Sequence, residues 1–440
     1  MSKASLVTLV ILVSFVASPS AQELLSLRIS LDQAQARAAA SSHRLAEARA
    51  REAAAQGMTT IRQTAERPIV ALSAGYTRTN HVTEFVVPSA TGVPRVLYPD
   101  VPDNYRTRLD LQWPIYSGGR TDALERAARA EASAAGADVE TAQADLRLEV
   151  ARAFWALVTA RATVTVIEQG LVRARGHLAE VRQRFTSGIV PPNEVASAEA
   201  QESRQRMLLI EARNQRDMSS SELSRLIGAD LLQPLEPDGA LDAPETAATS
   251  MDRLVADARA MRDERRALEF RVEAAEHQVA AAQGGRSPAV SVTGGFDYAR
   301  PNPRIFPRAN RWDESWDAGI MVGWALWDGG RTRAEAAHAA TIVTVTQARL
   351  AEFDSLVALE VRQRLLEIDS GRAAVAAAAD AVRAATEARR VVTERYQAGV
   401  ITQTEMLDAD VALLQSELDR TRAMASVRFA EARLSRAIGR

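Results

Sequence analysis

The chain contains no cysteine. That excludes disulfides, thiolate metal sites, a catalytic thiol and a lipidated N-terminal cysteine. Histidine is scarce as well: His43, His81, His177, His277 and His338 are scattered, no two of them at metal-ligand spacing. Neither sign of charge dominates, with 54 Lys+Arg against 56 Asp+Glu and a net charge of −2, so there is no basic footprint for nucleic acid. Aromatic residues make up only 5% of 440 positions, and proline is missing between Pro114 and Pro191 and after Pro307. Beyond the first twenty or so residues no uninterrupted apolar run is long enough for a transmembrane helix, which needs about 18 residues. Entry into a membrane would then have to be by β-strands. What is abundant is Ala, Arg, Glu and Leu, the composition of long helices. No acid, base, nucleophile and metal set converges, so an enzyme is disfavoured and no cofactor or metal is implied.

The N-terminus has one early charge at Lys3, an apolar stretch from Leu6 to Val16, and small residues at Ala17-Ser18-Pro19-Ser20-Ala21. This layout predicts a secretory signal peptide over 1–21; a spanning anchor would need a longer run. The mature chain is therefore expected outside the cytoplasm.

The rest of the chain is written twice. Trp113-Pro114-Ile115-Tyr116-Ser117-Gly118-Gly119-Arg120-Thr121 corresponds to Trp324-Ala325-Leu326-Trp327-Asp328-Gly329-Gly330-Arg331-Thr332, an offset of 211. The same offset aligns Arg184-Phe185-Thr186-Ser187-Gly188 with Arg395-Tyr396-Gln397-Ala398-Gly399, and Ile227-Gly228 with Ile438-Gly439. Upstream, Pro68, Gly75 and Tyr76 match Pro288, Gly295 and Phe296 at an offset of 220, so the first copy carries nine extra residues in a loop. The first repeat is read as 22–228, with a helix over 28–66, strands over 68–78 and 105–116, a long helix over 120–186 and a helix over 193–227. A proline-bearing linker, 229–248, precedes the second repeat at 249–440. That repeat reads as helix 251–286, strands 288–298 and 316–327, long helix 331–397 and helix 402–437.

Thirteen of the 21 Phe, Trp and Tyr residues lie in 76–116 and 296–327, about a sixth of the chain. From Tyr105 to Ile115 the odd positions are Tyr, Thr, Leu, Leu, Trp and Ile, while the even ones are Arg106, Arg108, Asp110, Gln112 and Pro114. This is the half-buried strand pattern. Trp316 to Leu326 alternates in the same parity, and Val70 to Tyr76 and Val290 to Phe296 supply two shorter strands. Ten tilted residues cover about 23 Å, enough for an outer-membrane apolar band. Tyr105, Trp113, Trp316 and Trp324, near strand ends, suit the interfacial girdles. A soluble hairpin capping a helical rod is the competing interpretation. Four strands cannot close a barrel, because membrane barrels start at about eight, and open edges in lipid cost several kcal/mol per polar group. Three chains would supply twelve.

In the long helix, Val150, Ala153, Leu157, Ala160, Val164, Ile167, Leu171, Ala174, Leu178, Val181 and Phe185 keep an unbroken 4/3 spacing. That is a heptad seam, and its alanines imply close helix approach. The helix is expected to stop at Gly188, with Pro191-Pro192-Asn193 restarting the chain. The shorter helices, stacked end to end, would match one long helix in length.

These residues resemble the TolC-type outer-membrane efflux proteins, or outer membrane factors, over essentially the whole mature chain. The most specific element is the twice-occurring junction Trp-Pro-Ile-Tyr-Ser-Gly-Gly-Arg at 113–120 and Trp-Ala-Leu-Trp-Asp-Gly-Gly-Arg at 324–331. Next comes the tip motif Tyr396, Gly399, Glu405-Met406-Leu407-Asp408-Ala409; Ser30-Leu31-Asp32-Gln33-Ala34 looks like the family's first-helix opening. The resemblance implies an α+β membrane protein: a trimeric 12-stranded β-barrel, four strands per chain, continued by a long α-helical coiled-coil barrel with an internal two-fold repeat. It implies a homotrimer in the outer membrane of a Gram-negative bacterium, in contact with its lipid, with a large periplasmic part. It also implies work with an inner-membrane pump, directly or through a periplasmic adaptor (membrane fusion protein). The function expected is the exit duct of a tripartite efflux system. Alternatives are the outer component of a type I protein secretion system or, in another class, a soluble periplasmic coiled-coil adaptor or structural protein.

By the same resemblance Glu405 and Asp408 line a closed periplasmic aperture, with Glu194 contributing from the first copy, and the turns at Arg184, Gly188, Arg395 and Gly399 are where an adaptor docks. Ser197 stands where a second first-copy carboxylate would be, and Pro191-Pro192 is a departure from the pattern. Gly118-Gly119 and Gly329-Gly330 lack the Lys-Ser/Thr of a phosphate loop; they are read as strand-to-helix junctions needing sharp dihedrals. Taken alone, Glu405 and Asp408 are also an ordinary solvated helix start. His177 and Glu180, on one helix face, are read as surface residues.

Overall fold

The structure, a computed structural model, describes residues 26–88, 92–242 and 250–440. The expected signal peptide lies outside them, as do the last residues of the expected linker. In the first copy the elements are β1 (Leu27–Ile29), α1 (Leu31–Ser41), α2 (His43–Thr64), β2 (Ile69–Arg78), β3 (Phe85–Val87), β4 (Arg95–Tyr98), β5 (Asp103–Tyr116), α3 (Arg120–Thr186) and α4 (Pro192–Ile227). After β6 (Leu235–Pro237), the second copy runs α5 (Met251–Met261), α6 (Asp263–Gln283), a 3-10 turn (Gly284–Arg286), β7 (Ala289–Arg300), β8 (Asp313–Gly323), α7 (Arg331–Gln397) and α8 (Gln403–Ala437).

Two expected single helices are broken, and at corresponding places. The helix expected over 28–66 is β1, α1 and α2, interrupted at Ser42; the one expected over 251–286 is α5, α6 and the 3-10 turn, interrupted at Arg262. Both interrupting residues are extended, with ψ of 116° and 121°. The cause is a close approach. Gly228, φ +67°, sits so near Ser41 that a Cβ would lie 2.7 Å from its side chain, and Gly439, φ +79°, meets the Met261 backbone at 2.8 Å. The end of each repeat's last helix thus occupies the break in its first. The linker is not bare chain either: β6 pairs in parallel with β1, Leu27 opposite Leu235.

The chain forms two compact units. The first comprises the residues up to Ser41, Val150–Asp242 and Ala377–Ala425. Its core is Val164, Ile167 and Leu171 of α3 against Leu209 and Ala212 of α4 and Leu414 of α8. The α3 seam is buried from Val150 to Leu171 and again at Val181, but Phe185 at its end is exposed. One 18-residue stretch of α3 is apolar enough to cross a membrane by length and composition, mean hydropathy 1.4. This stretch lies in a helix whose seam residues are packed, so the apolarity serves packing.

The second unit comprises Ser42–Glu149, Ala243–Ala376 and Ser426–Arg440. Its core joins Leu254 and Ala258 of α5, Val357 and Val361 of α7, and Ala437 and Ile438. It also carries the four-stranded antiparallel sheet, in the order β2-β5-β7-β8, and a separate β3–β4 hairpin in the longer first-copy loop. The register puts Leu72 opposite Leu109, Leu109 opposite Phe296 and Phe296 opposite Trp316, so the middle of one face is apolar. It is also bare: Leu72, Trp316 and Ile320 are each more than 70% exposed. The other face is polar, with Ser73 opposite Arg108 and Arg108 opposite Asp297. The strand expected over 316–327 ends at Gly323, because its partner β7 begins at Ala289 opposite it and β8 has no neighbour on its other side.

Candidate functional site

The turn after α3 is closed by backbone bonds from Gly188 to the Phe185 carbonyl and from Ile189 to the Arg184 carbonyl, both 2.9 Å. Gly399 and Val400 repeat this after α7, onto Tyr396 (3.0 Å) and Arg395 (2.9 Å). These are helix C-caps with a left-handed glycine, φ +70° and +72°. A Cβ would meet nothing within 4 Å at either, so the backbone conformation and not crowding demands glycine.

The following helices start differently. α4 opens on Pro191-Pro192 without a side-chain cap. α8 opens with a capping box: the Glu405 carboxylate accepts from the Thr402 backbone N–H at 3.4 Å and from its hydroxyl at 3.3 Å. Glu405 and Asp408 are both exposed, and among the described residues Asp408 has no ion-pair partner. Glu194 is half-buried, and the Tyr396 hydroxyl donates to it at 3.5 Å.

The two turns are tied together by Arg184, Glu194 and Tyr396, which the tip pattern contains, and by His177 and Gln403, which it does not. Tyr396 is buried, 4% exposed, whereas its counterpart Phe185 is not. The Arg184 guanidinium lies 4.6 Å over the Tyr396 ring, and it donates to the Tyr396 carbonyl at 3.4 Å and to Glu180 at 2.8 Å. His177 is buried too, which corrects the surface reading; its ring lies 5.5 Å from that of Tyr396. The Gln403 amide donates to the Glu194 carbonyl at 2.9 Å and stands 3.5 Å from His177 Nε2. Burial pushes the His177 pKa down, and burial, with Glu194 nearby, pushes the Tyr396 hydroxyl up. Arg395 is exposed and, among the described residues, has no ion-pair partner, while Arg389 on the same helix holds Asp410 at 2.5 Å. A helix-period pattern marks which residues face inward but not which polar group each will meet.

At the strand-to-helix junctions Gly118, Gly119, Gly329 and Gly330 all have positive φ, from 68° to 88°. Gly118 is also crowded: a Cβ there would lie 2.4 Å from the Ser287 Cβ and 2.7 Å from the Gly284 carbonyl. Its counterpart Gly329 faces open space. The Asp328 carboxylate caps α7, accepting from the Thr332 hydroxyl (2.5 Å), the Thr332 N–H (2.8 Å) and the Gly330 N–H (2.9 Å), bonds that hold its pKa at about 2. Trp113 and Trp324 donate their indole N–H to the carbonyls of Glu66 and Arg286, both at 3.0 Å. Tyr105 lies between Tyr76, 5.0 Å away, and Trp312, 5.9 Å away, with their rings tilted 39° and 41° to its own. Trp316, on the same face, is 75% exposed.

The family model described as outer membrane efflux protein matches residues 23–229 and, again, 254–440. The chain belongs to the outer membrane efflux protein family. Its fold is similar to that of solved members of the outer-membrane channel class. The outer membrane protein VceC of Vibrio cholerae superposes with a TM-score of 0.75 at 22% identity, over 93% of this chain and 96% of that one. The CmeC outer membrane channel of Campylobacter jejuni gives 0.77 at 16% identity, over 93% and 85%. The MtrE outer membrane channel of Neisseria gonorrhoeae, in its open state, gives 0.73 at 19% identity, over 93% and 88%. No curated protein sequence matches significantly. The efflux family and these structures are channel proteins, not enzymes. Among the described residues no three His, Asp or Glu side chains stand together to hold a metal ion.

Proposed function

We propose that this chain is the outer-membrane exit duct of a tripartite efflux system, working as a homotrimer whose twelve strands close one barrel. The observation that carries this is a four-stranded sheet with two unpaired edges, β2 and β8, and one bare apolar face. Unpaired edges in lipid are costly, and closure removes them. The copy duplication says how they would close. The β5–β7 pairing, carried through the offsets of 211 and 220, makes β8 pair with β2 of a second copy, and Gln112 opposite Thr293 becomes Gly323 opposite Ser73. Two further features support a second copy as the missing neighbour. Gly329 lacks the crowding that Gly118 finds within the chain. Ile342, Val345, Leu356, Leu359 and Leu366 of α7 leave an exposed stripe at heptad spacing.

The duct would be exported by its signal peptide, unlipidated, embedded in outer-membrane lipid through the apolar face, and reach an inner-membrane pump through a periplasmic adaptor. The adaptor would dock at the turns around Arg184, Gly188, Arg395 and Gly399. Glu405, Asp408 and Glu194 would line the periplasmic aperture; the exposure of the first two and the free state of Asp408 support this. The chain has no cysteine of its own, so the test is direct. Ser73→Cys with Gly323→Cys, oxidised in outer membranes, is expected to run as a covalent trimer on a non-reducing gel. A monomer recovered from the soluble fraction would sink the reading.

A further inference from the structure

The segment joining β7 to β8, residues 301–312, does not extend away from the sheet. Pro301 and Asn302 are buried, and Asn302 donates to the Asp313 carbonyl and to the Ser315 hydroxyl, each at 3.0 Å. Arg304 reaches Asp317 at 2.8 Å and the Trp316 carbonyl at 3.2 Å. Arg308 lies 5.0 Å over the Tyr98 ring and donates to Asn104 at 2.7 Å. The residues beneath the segment identify which face it covers. A cavity of about 370 Å³ is bounded by Pro301, Pro303 and Arg308 above and by Ser73, Arg106 and Arg108, among others, below. Ser73, Arg106 and Arg108 all belong to the polar face.

That face carries its own charges. Asp297, only 2% exposed, accepts from Arg106 at 2.5 Å and from Arg108, which also bonds Asp110 at 2.6 Å and Asp317 at 3.3 Å. Arg106, Arg108 and Arg304 meet the carboxylates of Asp297, Asp110 and Asp317, and Arg308, held by Asn104 and the Tyr98 ring, adds a fourth guanidinium, leaving this cluster one net positive charge per chain. The buried Nε of Arg308 has no hydrogen-bond partner.

We infer that residues 301–308 form a strap inside the barrel lumen that narrows its β7–β8 loop end into an arginine-lined constriction, with Arg304 and Arg308 as determinants of which ions and solutes leave. This rests on the duct reading above, because only a closed barrel with its apolar face to lipid makes the polar face a lumen. Rings of fixed charge set ion preference where the pore is narrow. In a trimer the strap would contribute three net positive charges. The constriction would therefore favour anions where the aperture favours cations.

The test uses the absence of native cysteine. Channels carrying Arg304→Cys, and separately Pro303→Cys, which breaks no ion pair, are placed in planar bilayers under a KCl gradient. The background is Glu405→Gln/Asp408→Asn, so that the aperture does not dominate the resistance. Each is treated with a sulfonate-bearing and then, in a fresh membrane, a trimethylammonium-bearing methanethiosulfonate. The expected result is a shift of zero-current potential toward cation preference with the first reagent and toward anion preference with the second, with lower conductance in both. Equal potentials with the two reagents would overturn the strap's place in the lumen while leaving the duct intact. Failure of the unmodified protein to form channels would sink both.

Discussion

His177 shows how much a single buried side chain decides. Its ring is held between Tyr396 and Gln403 in neutral form, because burial disfavours the imidazolium. Glu180, Glu194 and Asp410 pull its pKa up and Arg184 pushes it down, but burial is the largest influence. The sign follows from linkage. The unfolded chain takes up a proton below its ordinary pKa of 6.5, while the folded one resists, so this contribution is full above 6.5 and is lost as pH falls toward the depressed native value. Thermal unfolding followed by circular dichroism should therefore show His177→Gln losing less stability than wild type between neutral and mildly acidic pH. Identical pH profiles would refute the assignment. Glu264 is the opposite case. Burial alone would raise its pKa, but hydrogen bonds from Arg262 (3.0 Å) and Arg436 (2.5 Å) outweigh that and hold it at about 2. Arg262 and Arg436 keep Glu360 and Asp145 as second partners, so Glu264→Gln should cost about 3 kcal/mol, the low end for a broken buried pair. Denaturant unfolding measures it, and a loss under about 1 kcal/mol would mean the pair is screened like a surface one.

At the scale of elements, the helix stops and the helix breaks differ in how they are written. Gly188 and Gly399 announce the ends of α3 and α7 because a left-handed residue after a heptad run is a local requirement, visible in the residue type. The break at Ser42 has a local mark, since its hydroxyl caps α2 by accepting from the Leu45 N–H at 3.2 Å, but nothing local announces the one at Arg262. Arg262 sits in the middle of good helix formers, and it is displaced from helix only because Gly439 arrives against Met261 from far along the chain. The junction glycines divide in the same way. Gly118→Ala meets both a forbidden dihedral and a collision with Ser287, whereas Gly119→Ala meets only the dihedral, since a Cβ there finds open space. Gly118→Ala is expected to lose clearly more stability or outer-membrane yield than Gly119→Ala; equal losses would show that the packing at Ser287 gives way. In the α3 core, Leu157→Ala should cost about 2–5 kcal/mol, because Leu157 is 1% exposed and closely packed.

For the whole molecule, what matters is what one chain leaves unsatisfied. Among the described residues its sheet ends in two open edges, one face of it is bare and largely apolar, and the stripe on α7 is exposed. If three copies complete each other, Glu405 and Asp408 come together as a ring of six acids, and mutual repulsion and cation attraction follow. Glu405→Gln/Asp408→Asn is then expected to raise single-channel conductance in planar bilayers and weaken cation preference. Glu405 also caps α8, so its effect should be compared with Asp408→Asn alone, which touches no cap. Unchanged currents in both would remove these residues from the aperture.

Alternation of side chains, the 4/3 seam, the doubled junction and the capping glycines depend on neighbours within a few residues, and the sequence by itself determined them. The family could be read from the same local signals. The helix break at Arg262, which tyrosine is buried, that His177 lies inside, and that 301–308 folds back over the polar face of the sheet were decided only by tertiary structure. Each depends on groups separated by tens to hundreds of positions that meet because burial brings them together. A periodic pattern specifies a face, not the partner that will cover it.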